Sequence, residues 1–262
     1  MKGMALMKRI VAMLLLTMLS LTIVSPVFAS TADTKVPFLL YHSVPDSLNE
    51  DDDILLHISK DMFYQHMLAL KNEGYNSITL DEYYNYVKND GTLPENPIVI
   101  CFDDGYENNY TNAWPILKQL GMKATIFVIV SRVGDHEVKY PHFTWEEAIE
   151  MENSGVISIQ SHSYTHPSFS DITYAETVRE MRLSKYFVEK NMNKTCDYMA
   201  YPYGHTSSFS DEVGKKAGYK MMCLVENKGS NGKDTPLSDI HRLNVSATMD
   251  VEYLMEYISS NK

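Results

Sequence analysis

Apolar positions along the chain fall into two alternating patterns. Short runs rich in β-branched residues are each followed by a stretch in which apolar residues return every three or four positions. Val36 to Tyr41 is the first such run, ending in His42-Ser43. A helix capped by Ser59 follows, with Met62, Phe63, His66, Met67 and Leu70 on one face and Gly74 behind it. Ser77 to Leu80 reads as a short strand, and Asp81 as the cap of a helix over 82–89. Ile98 to Phe102 is a buried strand, and a helix is predicted from Asn112 to Leu120 with Pro115 in its first turn.

The alternation continues to the end of the chain. Strands are predicted at Lys123–Val130, Val156–Gln160, Cys196–Tyr201, Tyr219–Val225 and Ile240–Val245. Helices are predicted from Thr144, with Glu147 at capping-box spacing, and at Thr173–Asn191, Asp211–Ala217 and Val251–Ser259. Strand after helix after strand is the signature of a parallel sheet with helices outside. Residues 30–262 suit a single domain, and a closed (β/α) barrel is favoured over an open sheet, since such barrels run to ~250 residues.

Composition adds an address. Lys2, Lys8 and Arg9 precede an apolar run from Ile10 to Val24, and Val27-Phe28-Ala29 fits a cleavage site. Residues 1–29 therefore read as a secretory signal peptide, and the run is short for a membrane span of ~20 residues. The expectation is a secreted or cell-surface protein with no stable membrane span after cleavage. The whole chain has 23 Lys+Arg against 34 Asp+Glu; losing the leader removes three bases and no acid, leaving 20 against 34, or −14. Such acidity argues against nucleic acid as a partner. Of three cysteines, Cys101 reads as a small core residue, while Cys196 and Cys223 border strands and can pair, although a chain of this size needs no staple.

Reactive side chains cluster just after strands: His42, Asp103-Asp104, His162 with His166, and Tyr203-Gly204. In parallel α/β folds those strand ends share one rim, where sites are built. Asp104, His162 and His166 together give two imidazoles and a carboxylate, a set that leaves positions open on a catalytic divalent metal. With no thiolate in the set, zinc fits, and cobalt or nickel also. Such an ion acidifies water and polarises a carbonyl. Asp103, beside the ligand, is then free to act as general base, and a histidine suits the proton donor.

At these residues the chain resembles the polysaccharide deacetylases of carbohydrate esterase family 4, the NodB homology domain. Cys101-Phe102-Asp103-Asp104-Gly105 matches the first motif, and His162-Ser163-Tyr164-Thr165-His166 the second. The resemblance implies a distorted (β/α) barrel and one divalent metal held by Asp104, His162 and His166. It further implies hydrolysis of N-acetyl groups on a glycan with Asp103 as base. The third motif ordinarily carries an arginine that orients the base; here the segment is Ala200-Tyr201-Pro202-Tyr203-Gly204. Tyr203 and Gly204 still match the oxyanion and substrate positions, but the arginine is missing. Arg242 is read as a solvated residue at the last strand, with the orienting role as the alternative.

Leu39-Leu40-Tyr41-His42-Ser43 looks like the early segment of the branch that de-N-acetylates poly-β-1,6-N-acetylglucosamine, the biofilm adhesin, in which the early histidine is the acid. His42 is preferred over His241 for that role. The expected partner is thus an N-acetylglucosamine polysaccharide, with peptidoglycan or chitin oligomers as runners-up. A glycan-binding pseudoenzyme and a mononuclear iron oxygenase are the readings from other classes. Tyr106, Tyr164, Phe169, Tyr201 and Tyr203 lie near the rim and are candidates for stacking on sugars, while Tyr83, Tyr84 and Tyr86 read as structural.

Overall fold

A computed structural model describes residues 33–225 and 229–261, so the expected leader, residues 1–29, lies outside the described residues. Eight strands form one sheet: β1 (Phe38–Tyr41), β2 (Asn76–Ser77), β3 (Pro97–Phe102), β4 (Ala124–Val128), β5 (Ile157–Ser161), β6 (Tyr198–Ala200), β7 (Met221–Cys223) and β8 (Leu243–Asn244). Their order is β7-β6-β5-β4-β3-β1-β8, with β2 added beside β3, and the pairings are parallel. A single parallel bridge, Cys223 to Ile240, brings β7 against the segment entering β8. The sheet is therefore a distorted barrel, joined by a bridge where a regular barrel has a full ladder.

Among the described residues seven α-helices connect or follow the strands: α1 (Lys60–Asn72), α2 (Leu80–Lys88), α3 (Trp114–Leu120), α4 (Trp145–Asn153), α5 (Tyr174–Met192), α6 (Ser210–Ala217) and α7 (Val251–Ser260). Period-two alternation sorts the strand residues into two cores. Leu39, Tyr41, Ile98, Ile100 and Phe102 face outward with the apolar stripe of α1, Phe63, Met67 and Leu70. Phe38, Leu40, Val99 and Cys101 face inward. Helix α2 fills that inner face: Leu80, Tyr83 and Tyr86 join the inner core, and Tyr83 meets Phe38 edge-on at 4.9 Å. The structural reading of Tyr83 and Tyr86 follows from this placement.

Several boundaries differ from the pattern. Thr79, not Asp81, caps α2, because Thr79 and Glu82 close a capping box. The box draws Leu80 into the helix and leaves β2 only two residues long. Strand β8 likewise shrinks to Leu243–Asn244, with Ile240 held only by its bridge. A π-helical turn, Asn109–Ala113, precedes α3. Its amides and that of Asn108 bind the tail of β1: Asn109 donates to the His42 carbonyl, Asn112 to the Val44 carbonyl, and Asn108 accepts from Val44 N–H. The three cysteines are free and buried. Cys196 belongs to the outer core and Cys223 to the inner, so the sheet itself keeps them from pairing.

Candidate active site

Two strand ends supply the centre of the site. Strand β3 delivers Asp103 and Asp104, and β5 delivers His162 and, after one tight loop, His166. The Nε2 atoms of both histidines lie 3.5 Å from Asp104 Oδ1, and one donor atom from each of the three residues falls within 4.8 Å of the others. Asp104 Oδ1 is buried and has no hydrogen-bond partner among the described residues. A buried carboxylate oxygen left unpaired by protein and facing two imidazole nitrogens fits a cation.

The imidazoles are prepared for that role. His162 Nδ1 lies 2.9 Å from the Ala200 carbonyl, which can only accept, so Nδ1 carries the proton and Nε2 keeps its lone pair. Burial pushes the His162 pKa down to about 3, so the ring is neutral. Burial also lowers that of His166. The loop between them is held by Glu180 of α5, whose carboxylate accepts from the N–H groups of Tyr164 and Thr165 and from the Thr165 hydroxyl. Ser163 and His166 sit at φ +67° and +66°, a left-handed backbone that this bracing maintains. No pattern in the sequence marks Glu180 as part of the site, since it lies on a helix distant from the motif.

Asp103 is buried and meets Arg242 in a bidentate pair, with Nη1 to Oδ1 at 2.6 Å and Nη2 to Oδ2 at 2.7 Å. The reading of Arg242 as solvated is therefore corrected: it is fully buried. Alternation explains the outcome. Leu243 and Val245 point to the outer core, so Arg242 and Asn244 point inward, Asn244 to the wall of the main cavity. The guanidinium is further fixed by a bond from Nε to the Leu224 carbonyl and lies over the Phe127 ring. Burial alone would raise the Asp103 pKa, but the Arg242 charge outweighs it and draws the carboxyl down to about 2. Where the family arginine would stand the chain has Ala200, and Arg242 reaches the carboxylate from the segment entering β8, two places from β3 in the sheet order.

His42 lines the same cavity of about 530 Å³ as Asp103, Asp104, His162 and His166. Burial lowers its pKa, against the opposing pull of Asp104 and Asp103. His241 does not line that cavity; its backbone is tied to the Asn231 side chain. Tyr203 also lines the cavity, at φ +60°, with its ring edge-on to His166 at 4.7 Å. Gly204 donates its own N–H to the Tyr201 carbonyl, and a Cβ there would stand 2.5 Å from Val225 N. Glycine is thus required for close packing, and the Gly204 N–H, already bonded to Tyr201, is not open to substrate, so Tyr203 carries the candidate oxyanion donor.

Of the rim aromatics, Tyr106 and Tyr203 line the cavity. Phe169 and Tyr201 pack on each other, and Tyr164 stacks on Phe187. The long segment between β4 and α4 contributes wall residues that periodicity does not reveal, among them Arg132, Tyr140 and His142. Its length without regular structure is the one available signal, since such loops are commonly functional.

A family model for polysaccharide deacetylases matches residues 90–222. The chain belongs to this polysaccharide deacetylase family. A Bacillus subtilis protein carrying the same family name is 33% identical over 228 residues, which cover 87% of this chain and 77% of that protein. The poly-β-1,6-N-acetyl-D-glucosamine N-deacetylase of Staphylococcus aureus (strain MRSA252) is 29% identical over 180 residues; the match covers 65% of this chain and 62% of that protein. Among solved structures, a Bacillus cereus polysaccharide deacetylase superposes with a TM-score of 0.76 at 29% identity, covering 86% of this chain and 69% of the other. The deacetylase fold and its motif residues thus coincide in one chain.

Proposed function

We propose that this polysaccharide deacetylase is a secreted, metal-dependent enzyme that removes N-acetyl groups from poly-β-1,6-N-acetylglucosamine. The observation that carries the reading is that two adjacent carboxylates are held differently: Asp104 faces both imidazoles, while Asp103 is gripped by a buried guanidinium and has His162 alone of the two near it, at 3.6 Å. Asp104, His162 and His166 would hold one divalent ion, zinc before cobalt or nickel. Bound there, the ion supplies Lewis acidity toward water and the amide carbonyl.

The chain's own residues divide the proton transfers. Asp103, held ionised and oriented by Arg242, takes the proton of the water that adds to the acetyl carbon. The Tyr203 N–H is assigned to the oxyanion that develops on the carbonyl oxygen. His42 gives a proton to the glycan nitrogen as the C–N bond breaks, and acetate and an amino sugar leave. Resemblance of the early Tyr41-His42 segment to the poly-N-acetylglucosamine branch, and the Staphylococcus aureus relative, support this polymer over peptidoglycan or chitin. The basic and apolar leader supports secretion. No helix among the described residues is long and apolar enough to cross a membrane.

Acetate release from the three glycans, with metal content measured alongside, tests the reading. Poly-β-1,6-N-acetylglucosamine is expected to be the best substrate. Asp104→Ala and His166→Ala are expected to lose metal and activity together. Asp103→Asn keeps the metal and loses about 10²–10⁴-fold in rate; His42→Ala keeps the metal and slows amide hydrolysis more than hydrolysis of an activated ester. Higher turnover of peptidoglycan would reassign the substrate, and full metal occupancy in the Asp104 and His166 variants would remove the metal assignment.

A further inference from the structure

Beside the catalytic cavity lies a second one of about 290 Å³, and Lys139 and Tyr140 line both. The two spaces are therefore neighbours across one shared wall. The second is built mainly from the polar, acidic loop after β1 and the segment after Asp104. Its lining includes Asp52, Glu107 and His57.

His57 is the unusual member. Its ring is buried, 2% exposed, and neither ring nitrogen has a hydrogen-bond partner among the described residues. The ring is wedged against Tyr140 with centroids 4.5 Å apart, and Tyr106 lies behind it at 6.4 Å. A buried imidazole with both polar edges unpaired is rare in a folded chain, and here it borders a cavity whose wall carries Asp52 and Glu107. One nitrogen donates and the other accepts when the ring is neutral, so it can meet a hydroxyl or an amine.

The charge of the cavity selects between ligands. Asp52 is fixed as an anion: one carboxylate oxygen accepts from the Asn49 N–H and side-chain amide, the other from the Tyr140 hydroxyl at 3.0 Å. Glu107 adds a second carboxylate, 3.5 Å from His136 Nδ1. Lys139 is the cation against them, and its ammonium is drawn over the Tyr140 ring and toward the Asp51 carbonyl. Two acids against one base favour a cationic guest over an anion, and the shared wall makes the guest part of the same glycan. A hydrolysed N-acetyl group leaves an ammonium, whereas the intact residue is neutral.

We propose that this side cavity binds a protonated amino-sugar residue of the substrate chain, next to the residue being deacetylated. Asp52 and Glu107 meet the ammonium, and His57 meets a hydroxyl or the amine. The inference rests on the function proposed above and deepens it: the enzyme favours chains that already carry free amines. Action on a polymer then accelerates once the first groups are removed.

The test uses the metal-loaded protein and two β-1,6-linked oligomers of equal length, one fully N-acetylated and one with a single free amine. The amine-bearing oligomer is expected to be hydrolysed with about tenfold higher kcat/KM, the scale of one charge-assisted contact. Asp52→Asn and Glu107→Gln, on separate segments, are each expected to reduce that ratio toward one, and added salt to reduce it in the wild type. A β-1,6-linked glucosamine oligomer is also expected to shift the His57 ring signals in NMR spectra more than the acetylated oligomer does. Equal rates on the two substrates, a ratio unchanged in both variants, or equal His57 shifts would overturn the proposal. Shifts by glucosamine with no acetate released from either oligomer would overturn the deacetylase substrate instead and leave the cavity's ligand standing.

Discussion

At the scale of single residues, the pair Asp103–Arg242 governs both chemistry and stability. Its partners are 139 positions apart in sequence and form the most buried ion pair of the site. Arg242→Met would leave a buried carboxylate without its counter-charge. The expected loss is about 3–5 kcal/mol in denaturant unfolding, with a raised Asp103 pKa. Lysine is no substitute, because an ammonium cannot match the two-pronged geometry. Because the folded carboxyl titrates near 2, its stabilising share is present above the ordinary aspartate range and fades as pH falls toward 2. His142 acts with the opposite sense of charge. Burial holds its pKa down to about 4, below the ordinary histidine value. Between those two pH values the unfolded chain binds a proton that the folded one refuses, so stability falls as pH falls. His142→Phe, which keeps a ring against Tyr106, is expected to flatten the slope of urea midpoints between about pH 6.5 and about pH 4. An unchanged slope would assign the proton uptake to another group.

At the scale of elements, the site depends on how two loops are braced. The His162–His166 loop is clamped from outside by Glu180 on α5, and the tail of β1 by Asn108, Asn109 and Asn112. Glu180→Gln keeps the shape but exchanges one acceptor oxygen for an amide donor. With the amide oxygen in the place of Oε2 both N–H contacts persist, and the Thr165 hydroxyl turns to accept from the amide nitrogen, so the loop keeps its contacts but loses the carboxylate charge that strengthens them. Metal affinity is expected to fall about 10–100-fold, the usual worth of support behind a ligand. Thermal stability should drop far less than on breaking the Asp103–Arg242 pair. A metal titration that leaves the dissociation constant unchanged would show that the loop holds its left-handed turns unaided.

At the scale of the whole molecule, the barrel sorts its residues by face. Apolar side chains fill the end of the interior where α2 packs, while the strand tips carry the charged cluster. All three cysteines are buried inside this arrangement and none is paired. Burial pushes the thiols of Cys196 and Cys223 up to about 12. Reductant is therefore expected to leave the melting temperature unchanged, and thiol reagents to label the chain only after denaturation. Rapid labelling of the native protein would place a cysteine at the surface.

What the sequence determined by itself was local and periodic. Strand and helix alternation is a property of neighbouring residues, so the order of elements was legible. The same logic placed His42, Asp103, Asp104, His162, His166 and Tyr203 after strands, and all six line one cavity. Helix starts were readable to within two residues, the largest errors falling at α2, where Thr79 and not Asp81 is the cap, and at α3, where a π-helical turn precedes the helix. Tertiary structure alone decided the rest. The flanking Leu243 and Val245 turn Arg242 inward, but only the packing of β8 beside β1, with Leu243 opposite Leu39, brings it to Asp103. Glu180 and the Asp52–His57–Glu107 cavity wall join their neighbours across loops whose course no periodicity encodes. A side chain's direction within a strand can be read from its flanks. Which distant charge it meets depends on how the sheet closes.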